Sequence, residues 1–319
     1  MESFENKIAV VTGGGTGMGR ELVCQLIAAG AHVAMCDVSQ ENMDETLRLA
    51  NAGEQRLTHH LCDVSEEAQM LAFRDEVMAQ HHTAHINLLF NNAGIGGGGS
   101  FVKGDRDEWE RTYAVCWDGV YFGCRAFLDA IVASDEGHIV NTSSVNGVWA
   151  SLGTTQAHTA YSAAKFAVKG FTEALITDLR LHAPHVQCSL VMPGHIGTSI
   201  MENSSKVLGR PWGMDLPDGD VAVVRERMLA AGLPVGNVPD DHIRQMLADR
   251  AEAFRTKAPT TASEAATVIL NAVRNKHWRV LIGQDAHDLD RLVREAPAEA
   301  YEKSMIGKIN ALNHLGALI

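Results

Sequence analysis

Short apolar runs rich in β-branched residues alternate with longer amphipathic stretches along most of the chain. The runs predict seven strands, at Ile8–Thr12, His32–Cys36, Leu57–Leu61, Ile86–Phe90, His138–Thr142, Gln187–Met192 and Arg279–Ile282. The stretches between them predict helices over about 20–29, 41–50, 66–80, 107–133 and 161–181. This alternation indicates an α/β fold with a doubly wound parallel sheet. Ligands are then expected at the carboxyl ends of the strands.

The alternation breaks between residues 199 and 258. That stretch contains four of the eight prolines, which are Pro211, Pro217, Pro234 and Pro239. We interpret it as an irregular loop-and-helix insert over the site, within a single domain that spans residues 1–319. Residues 288–319 predict a C-terminal helical extension with an apolar end, LNHLGALI.

Composition narrows the class of protein. Hydrophobic residues make up 46% of the chain and the net charge is −12, which suits a globular protein and disfavours nucleic acid or a membrane surface as partner. Six cysteines without a CxxC pair indicate reduced thiols, and we expect a cytoplasmic location. The N-terminus does not resemble a signal peptide, and no apolar run reaches 18 residues.

A glycine-rich loop joins the first predicted strand to the first predicted helix. Glycines let backbone N–H groups approach a pyrophosphate, so we expect the cofactor at Gly13, Gly15, Thr16, Gly17, Met18 and Gly19. Asp37 ends the next strand, where a carboxylate can bind ribose hydroxyls and repel a 2′-phosphate. No Arg or Lys stands at 14–16 or 38–39. The sequence therefore predicts NAD(H) rather than NADP(H) bound to a Rossmann fold.

Two further motifs, Asn91-Asn92-Ala93-Gly94 and Tyr161-Ser162-Ala163-Ala164-Lys165, follow the glycine loop. With these three motifs in order, the chain resembles the classical short-chain dehydrogenases/reductases over about residues 5–200. The resemblance implies a homodimer or homotetramer formed through the helices at 107–133 and 161–181, which the apolar tail could extend. It also implies adenine contacts at Asp63 and Val64, a cleft lined by Asn91, Ala93 and Gly94, and carboxamide contacts at Pro193, Gly194, Ile196 and Thr198.

The catalytic prediction centres on Tyr161. Tyr161 and Lys165 are four residues apart on a predicted helix and so share one face. An ammonium close to the phenol should lower its pKa from about 10 and make it a better acid–base group. By resemblance, Lys165 also holds the nicotinamide ribose and Ser144 polarises the carbonyl oxygen, with Ser143 as a lesser candidate. We expect interconversion of a secondary alcohol and a ketone.

One position departs from the family pattern. The stretch Val115-Cys116-Trp117-Asp118-Gly119 matches a family segment that usually carries Asn where Cys116 stands. In the family that position helps to anchor a proton relay to the lysine, so we expect an altered relay. A reactive catalytic thiol is the alternative to a small buried residue.

The remaining candidates concern the substrate. We expect contacts from Ser144, Trp149, His195 and Met201, with Leu152 and His158 also near the cleft. Apolar residues of the insert favour a hydrophobic, bulky or aromatic substrate. Fifteen histidines show no metal-binding spacing, so no metal is expected. Two other functions stay open, a non-catalytic NAD-binding regulator and a sugar-nucleotide epimerase or dehydratase.

Overall fold

The computed structural model describes residues 1–150, 157–230 and 233–310. The apolar end of the tail and Leu152, together with most of the segment between Trp149 and Thr159, therefore lie outside the described residues. A seven-stranded parallel sheet forms the centre, in the order β3-β2-β1-β4-β5-β6-β9. Its strands are β1 Ile8–Thr12, β2 His32–Asp37, β3 Leu57–Leu61, β4 Leu88–Asn91, β5 Gly137–Thr142, β6 Val186–Pro193 and β9 Arg279–Ile282. A two-stranded sheet pairs β7 Ile196–Gly197 with β8 Thr260–Thr261.

This sheet confirms the predicted doubly wound Rossmann fold. The helices of the first half are α1 Gly17–Ala28, α2 Gln40–Ala50, α3 Glu67–His81, α4 Arg106–Tyr113, α5 Gly119–Val132 and α6 Thr159–His182. Those of the second half are α7 Ile200–Val207, α8 Asp218–Ala230, α9 Asp240–Thr256, α10 Ala262–Arg274, α11 Gln284–Glu295 and α12 Lys303–Asn310. The predicted helix over 107–133 consists of α4 and α5 joined by a π-helical turn, Ala114–Asp118.

Each face of the sheet carries its own hydrophobic core. Along β1, Val10 packs on the α3, α5 and α6 side, whereas Ala9 and Val11 pack on the α1 and α10 side. Side chains alternate across a strand, so burying both faces requires an unbroken apolar run. For this reason the strands could be predicted from continuous apolar segments of the sequence.

The stretch 199–258 contains the helices α7, α8 and α9. Two of its prolines mark helix starts, because Pro217 directly precedes α8 and Pro239 is the N-cap of α9. Proline suits the beginning of a helix, where no N–H partner is required. A small core of Leu216, Val221, Val235 and Ile243 holds this insert together.

The C-terminal extension packs against the turn that follows β5. Its helices bury Ala286, Leu289 and Met305 in one cluster with Val145 and Trp149. In the described ranges, no helix combines the length and apolarity needed to cross a membrane.

Candidate active site

The glycine loop after β1 approaches its neighbours more closely than side chains would allow. Gly13 has φ +67°, and a Cβ there would lie 2.8 Å from the Cα of Ala93. A Cβ on Gly19 would lie 1.9 Å from the carbonyl oxygen of Gly13. The Thr12 hydroxyl accepts hydrogen bonds from the N–H groups of Asn92 and Ala93, at 3.0 and 3.1 Å. The loop is therefore fixed to the end of β4 by backbone contacts.

Asp37 closes the side of this loop. Its Oδ2 accepts a hydrogen bond from the Gly15 N–H at 3.0 Å, and its Oδ1 accepts one from the Ser39 N–H at 3.1 Å. Burial raises the pKa of Asp37, and the backbone hydrogen bonds oppose that rise. The carboxylate is thus built into the loop at the end of β2, where the sequence placed it.

Arg20 is a residue of this region that sequence reasoning missed. Its guanidinium donates to the carbonyl oxygens of Gly15 and Asn42 and to the hydroxyl of Thr46. Arg20 lies in the first turn of α1, outside positions 14–16 and 38–39, where a cation would favour a 2′-phosphate. The contacts of its guanidinium show that it braces the loop against α2.

Asp63 and Val64, the two residues predicted to contact adenine, also make contacts within the protein. Asp63 accepts hydrogen bonds from Arg111, at 2.5 Å, and from Ser65. Burial acts to raise the pKa of Asp63, but these hydrogen bonds outweigh it and lower the pKa. Val64 is buried and packs into the core, where a Cβ on Gly119 would collide with it.

Asn91, which is predicted to line the cofactor cleft, has its side chain bonded within the core. Its amide donates to Asn141 Oδ1 at 2.8 Å and to Cys124 Sγ at 3.3 Å. A Cβ on Gly123 of α5 would lie 2.1 Å from Asn91 Oδ1. The side chain therefore joins β4 to β5 beneath α5, because a buried amide needs polar partners within the core.

Three predicted catalytic residues converge at the carboxyl end of β5. Tyr161 and Lys165 lie one turn apart on α6, and Ser144 follows β5. The Ser144 hydroxyl accepts a hydrogen bond from the Asn146 N–H at 3.1 Å and lies near enough to the Tyr161 phenol to act on its pKa. Lys165 is 2% exposed, donates from Nζ to the Thr142 carbonyl oxygen at 2.9 Å, and lies 5.5 Å from the centre of the Tyr161 ring.

The electrostatics of Tyr161 differ from the expectation. Burial raises the pKa of Tyr161, and the nearby Ser144 hydroxyl opposes that rise only in part. Burial also lowers the pKa of Lys165, whose ammonium points to Thr142. The predicted lowering of the phenol pKa is thus overturned by desolvation of the phenolate. Tyr161 is held as a neutral phenol at neutral pH, which suits a proton donor.

Cys116 lies in the π-helical turn between α4 and α5. Its Sγ donates to the Ile95 carbonyl oxygen at 3.2 Å, and the residue is fully buried. A Cβ on Gly94 would lie 3.5 Å from Lys165 Nζ and 3.8 Å from Cys116 Sγ, so thiol and ammonium flank the same glycine. These contacts favour the small buried residue over the reactive thiol.

Trp149 and His195, both predicted to contact the substrate, have side chains that bond distant parts of the protein. The Trp149 indole is 3% exposed and donates to the Ala300 carbonyl oxygen at 2.6 Å. His195 Nε2 lies 2.8 Å from the Phe254 carbonyl oxygen, and the two rings are in contact, with centres 4.1 Å apart and planes inclined by 35°. Trp149 thus anchors the C-terminal extension and His195 anchors α9, while their contact with a substrate stays a prediction.

Met201 lines a cavity of about 260 Å³ between α7 and α9. Thr198 lies at one side of it, and Trp212, Met214 and Arg255 contribute to its wall. Thr198 also faces the glycine loop, because its Cγ2 would lie 3.0 Å from a Cβ on Gly17. The cavity therefore opens beside the expected nicotinamide end of the cleft.

His158 stacks directly on Tyr161, with ring centres 4.6 Å apart and planes inclined by 19°. Burial lowers the pKa of His158 to about 4, so the ring is neutral at physiological pH. The His158 Nδ1 is buried and has no hydrogen-bond partner in the part of the chain that the structure describes. Within the described ranges, no cluster of three or more His, Cys, Asp or Glu is arranged to hold a metal.

Comparisons with known proteins agree with this arrangement. A family model described as short chain dehydrogenase matches residues 7–208. The SadH protein of Mycobacterium tuberculosis, classed among the oxidoreductases, is 34% identical over 294 residues, covering 92% of each chain. Mouse (Mus musculus) epidermal retinol dehydrogenase 2 is 33% identical over 203 residues, covering 63% of this chain and 64% of its own.

Two solved structures are also similar to the chain. A short-chain dehydrogenase/reductase from Burkholderia phymatum, solved in complex with NAD, superposes with a TM-score of 0.74 and 28% identity. That comparison covers 93% of this chain and 96% of the other. A metagenomic short-chain oxidoreductase in complex with NADP gives a TM-score of 0.53 at 33% identity, covering 60% and 84%.

Proposed function

We propose that the chain, which belongs to the short-chain dehydrogenase family of oxidoreductases, interconverts a secondary alcohol and a ketone using NAD(H). Tyr161 is the residue that transfers the proton. The observation that carries this proposal is the convergence of Tyr161, Ser144 and Lys165 at the end of β5. When bound, the nicotinamide supplies or accepts the hydride.

The residues of the site divide the remaining work. The Ser144 hydroxyl binds and polarises the substrate oxygen, as hydroxyl donors do in such sites. Tyr161 donates its proton to that oxygen during reduction, and its raised pKa keeps the proton in place until then. Lys165, held by Thr142, places a positive charge beside the phenol and stabilises the phenolate that remains.

The fit of a dinucleotide rests on the glycine loop. The positions Gly13, Gly15 and Gly19 are crowded enough that a Cβ on any of them would collide with neighbouring atoms. The backbone N–H groups at the start of α1 are therefore accessible to a pyrophosphate. Asp37 supports NAD(H) over NADP(H), because its carboxylate would repel a 2′-phosphate.

We infer a hydrophobic or bulky substrate from the cavity beside Thr198. Met201, Trp212 and Met214 give it apolar walls, while Glu202 and Arg255 lie on its rim. Apolar walls with a few polar groups are typical of small-molecule sites. An apolar arm of the substrate would occupy this space while its carbonyl lies at Tyr161.

The test is a screen of ketones and secondary alcohols that follows NADH absorbance, with NADPH as the parallel cofactor. We expect turnover with NADH, and a loss of about 10²- to 10⁴-fold in Tyr161→Phe with NADH binding unchanged. Tighter binding of NADPH than of NADH would refute the role of Asp37. Full turnover by Tyr161→Phe would refute the role of Tyr161.

A further inference from the structure

A buried carboxylate on α11 contacts the turn that follows β6. Asp285 lies in the first turn of α11 and is 1% exposed. Its Oδ2 accepts a hydrogen bond from the main-chain N–H of His195 at 2.6 Å. No sequence motif pointed to this residue, because it lies 90 positions away from the turn that it contacts.

Two glycines create the space that Asp285 fills. A Cβ on Gly194 would lie 2.1 Å from Asp285 Oδ2, and a Cβ on Gly283 would lie 2.2 Å from Asp285 Oδ1. Gly283 also has φ +93°, a conformation that favours glycine. The backbone on both sides of the carboxylate is therefore shaped to bring it against the turn.

The environment of Asp285 gives it little stabilisation in return. Among the residues that the structure describes, Asp285 Oδ1 has no hydrogen-bond partner, and it is buried. The nearby Arg279 and Arg294 bind Asp290, one helical turn further along α11. A buried carboxylate with one unpaired oxygen is costly, and the hydrogen bond from the His195 N–H is the contact that this carboxylate makes with the turn.

We propose that Asp285 is a positioning residue for the nicotinamide half of the cofactor site, an inference that rests on the proposed function. It acts through the main chain of the turn Pro193–Thr198. One hydrogen bond to Asp285 holds the His195 main chain, and the contact with Phe254 holds its side chain. With His195 fixed at both points, Ile196 and Thr198 are presented to the cleft in one arrangement. Preorganisation of this kind lowers the entropic cost of binding.

The experiment compares two probes that share the adenosine diphosphate ribose portion. NADH carries the nicotinamide, and ADP-ribose lacks it. Binding of each is measured by calorimetry to the wild type and to Asp285→Ala, with no substrate present. We expect Asp285→Ala to weaken NADH binding about 10- to 100-fold, from loss of a hydrogen bond to a charged acceptor, and to leave ADP-ribose binding unchanged.

Matched variants separate positioning from general destabilisation. Asp290→Ala removes a buried carboxylate from the same helix without touching the turn, and should leave both affinities unchanged. Asp285→Asn keeps an acceptor oxygen and should recover most of the NADH affinity. If Asp285→Ala does not fold, Asp285→Ser shortens the same side chain and is expected to show the same selective loss.

The inference is overturned if Asp285→Ala and Asp285→Ser bind NADH as the wild type does, or lose affinity equally for both probes. Failure of the proposed function looks different, because wild-type protein would then bind neither probe, and the inference would fall with it.

Discussion

The two ends of the cleft are built in different ways. At the cofactor end, Asp37 holds Gly15 across only 22 positions of sequence, and the contacts involve mostly main chain. At the substrate end, Trp149 reaches Ala300 across 151 positions and His195 reaches Phe254 across 59. The first end is set by one loop and the strand ends beside it, and the second depends on how distant helices pack. Substitutions at each end should therefore fail in different ways.

The largest effect is expected from Gly19→Ala at the cofactor end. Its Cβ would lie 1.9 Å from a backbone oxygen that cannot move without opening the loop. We expect the free energy of unfolding to fall by about 3 kcal/mol or more, as measured by urea denaturation. We also expect NADH binding, measured by calorimetry, to be lost.

The matched control is Gly170→Ala on α6, where a Cβ would meet nothing within 4 Å. Alanine at an open helical position should stabilise the fold by about 0.5–1 kcal/mol. Wild-type behaviour of Gly19→Ala would mean that the glycine loop is not tightly packed.

Trp149→Phe tests the substrate end. Phenylalanine keeps an apolar ring in the cluster but removes the donor to Ala300, so we expect a loss of about 1–3 kcal/mol in stability. The KM for the ketone should stay close to that of the wild type. A large rise in KM with unchanged stability would restore Trp149 as a wall of the substrate pocket.

The smallest effect concerns two buried histidines. Burial lowers the pKa of His158 and of His81 to about 4, whereas an unfolded chain titrates near 6.5. The unfolded state thus takes up protons first as the pH falls. The stability contributed by each neutral ring is complete above about pH 6.5 and is lost towards pH 4.

Replacing either histidine by phenylalanine should reduce the pH slope of stability between 6.5 and 4, by at most about 1.4 kcal/mol per pH unit. Only His158→Phe should also change kcat, because His158 stacks on Tyr161 while His81 bonds Thr58 near the base of β3. Equal kcat values for the two variants would mean that His158 does not affect proton transfer by Tyr161.

The difference between the two ends also explains what could be predicted from the sequence. The strands could be predicted because both faces of the sheet are buried. The loop after β1 could be predicted because the close approach of its backbone to neighbouring atoms requires glycine. Tyr161, Lys165 and Ser144 lie at strand ends or one helical turn apart, so topology alone brings them together.

The sequence could not predict side-chain contacts and pKa values that depend on tertiary packing. Trp149 and His195 stand beside the cleft in sequence, but packing partners from distant helices bury their side chains. Asn91 ends β4, yet its side-chain amide donates a hydrogen bond to Asn141 in the core. The rise in the pKa of Tyr161 came from burial, whose degree a sequence does not give. Asp285 gave no signal because its partner turn lies 90 positions away.

The anchor between Trp149 and Ala300 has a consequence for the order of assembly. Tyr301 adds a second link, because its hydroxyl accepts a hydrogen bond from the N–H of Ala150. Both links connect the segment just after Ser144 to residues synthesised 151 positions later. Contacts that span so much chain form late, since the entropy of closing the loop must be overcome first. A nascent chain can therefore complete its central nucleotide-binding strands on the ribosome while the neighbourhood of its serine still awaits the last helices.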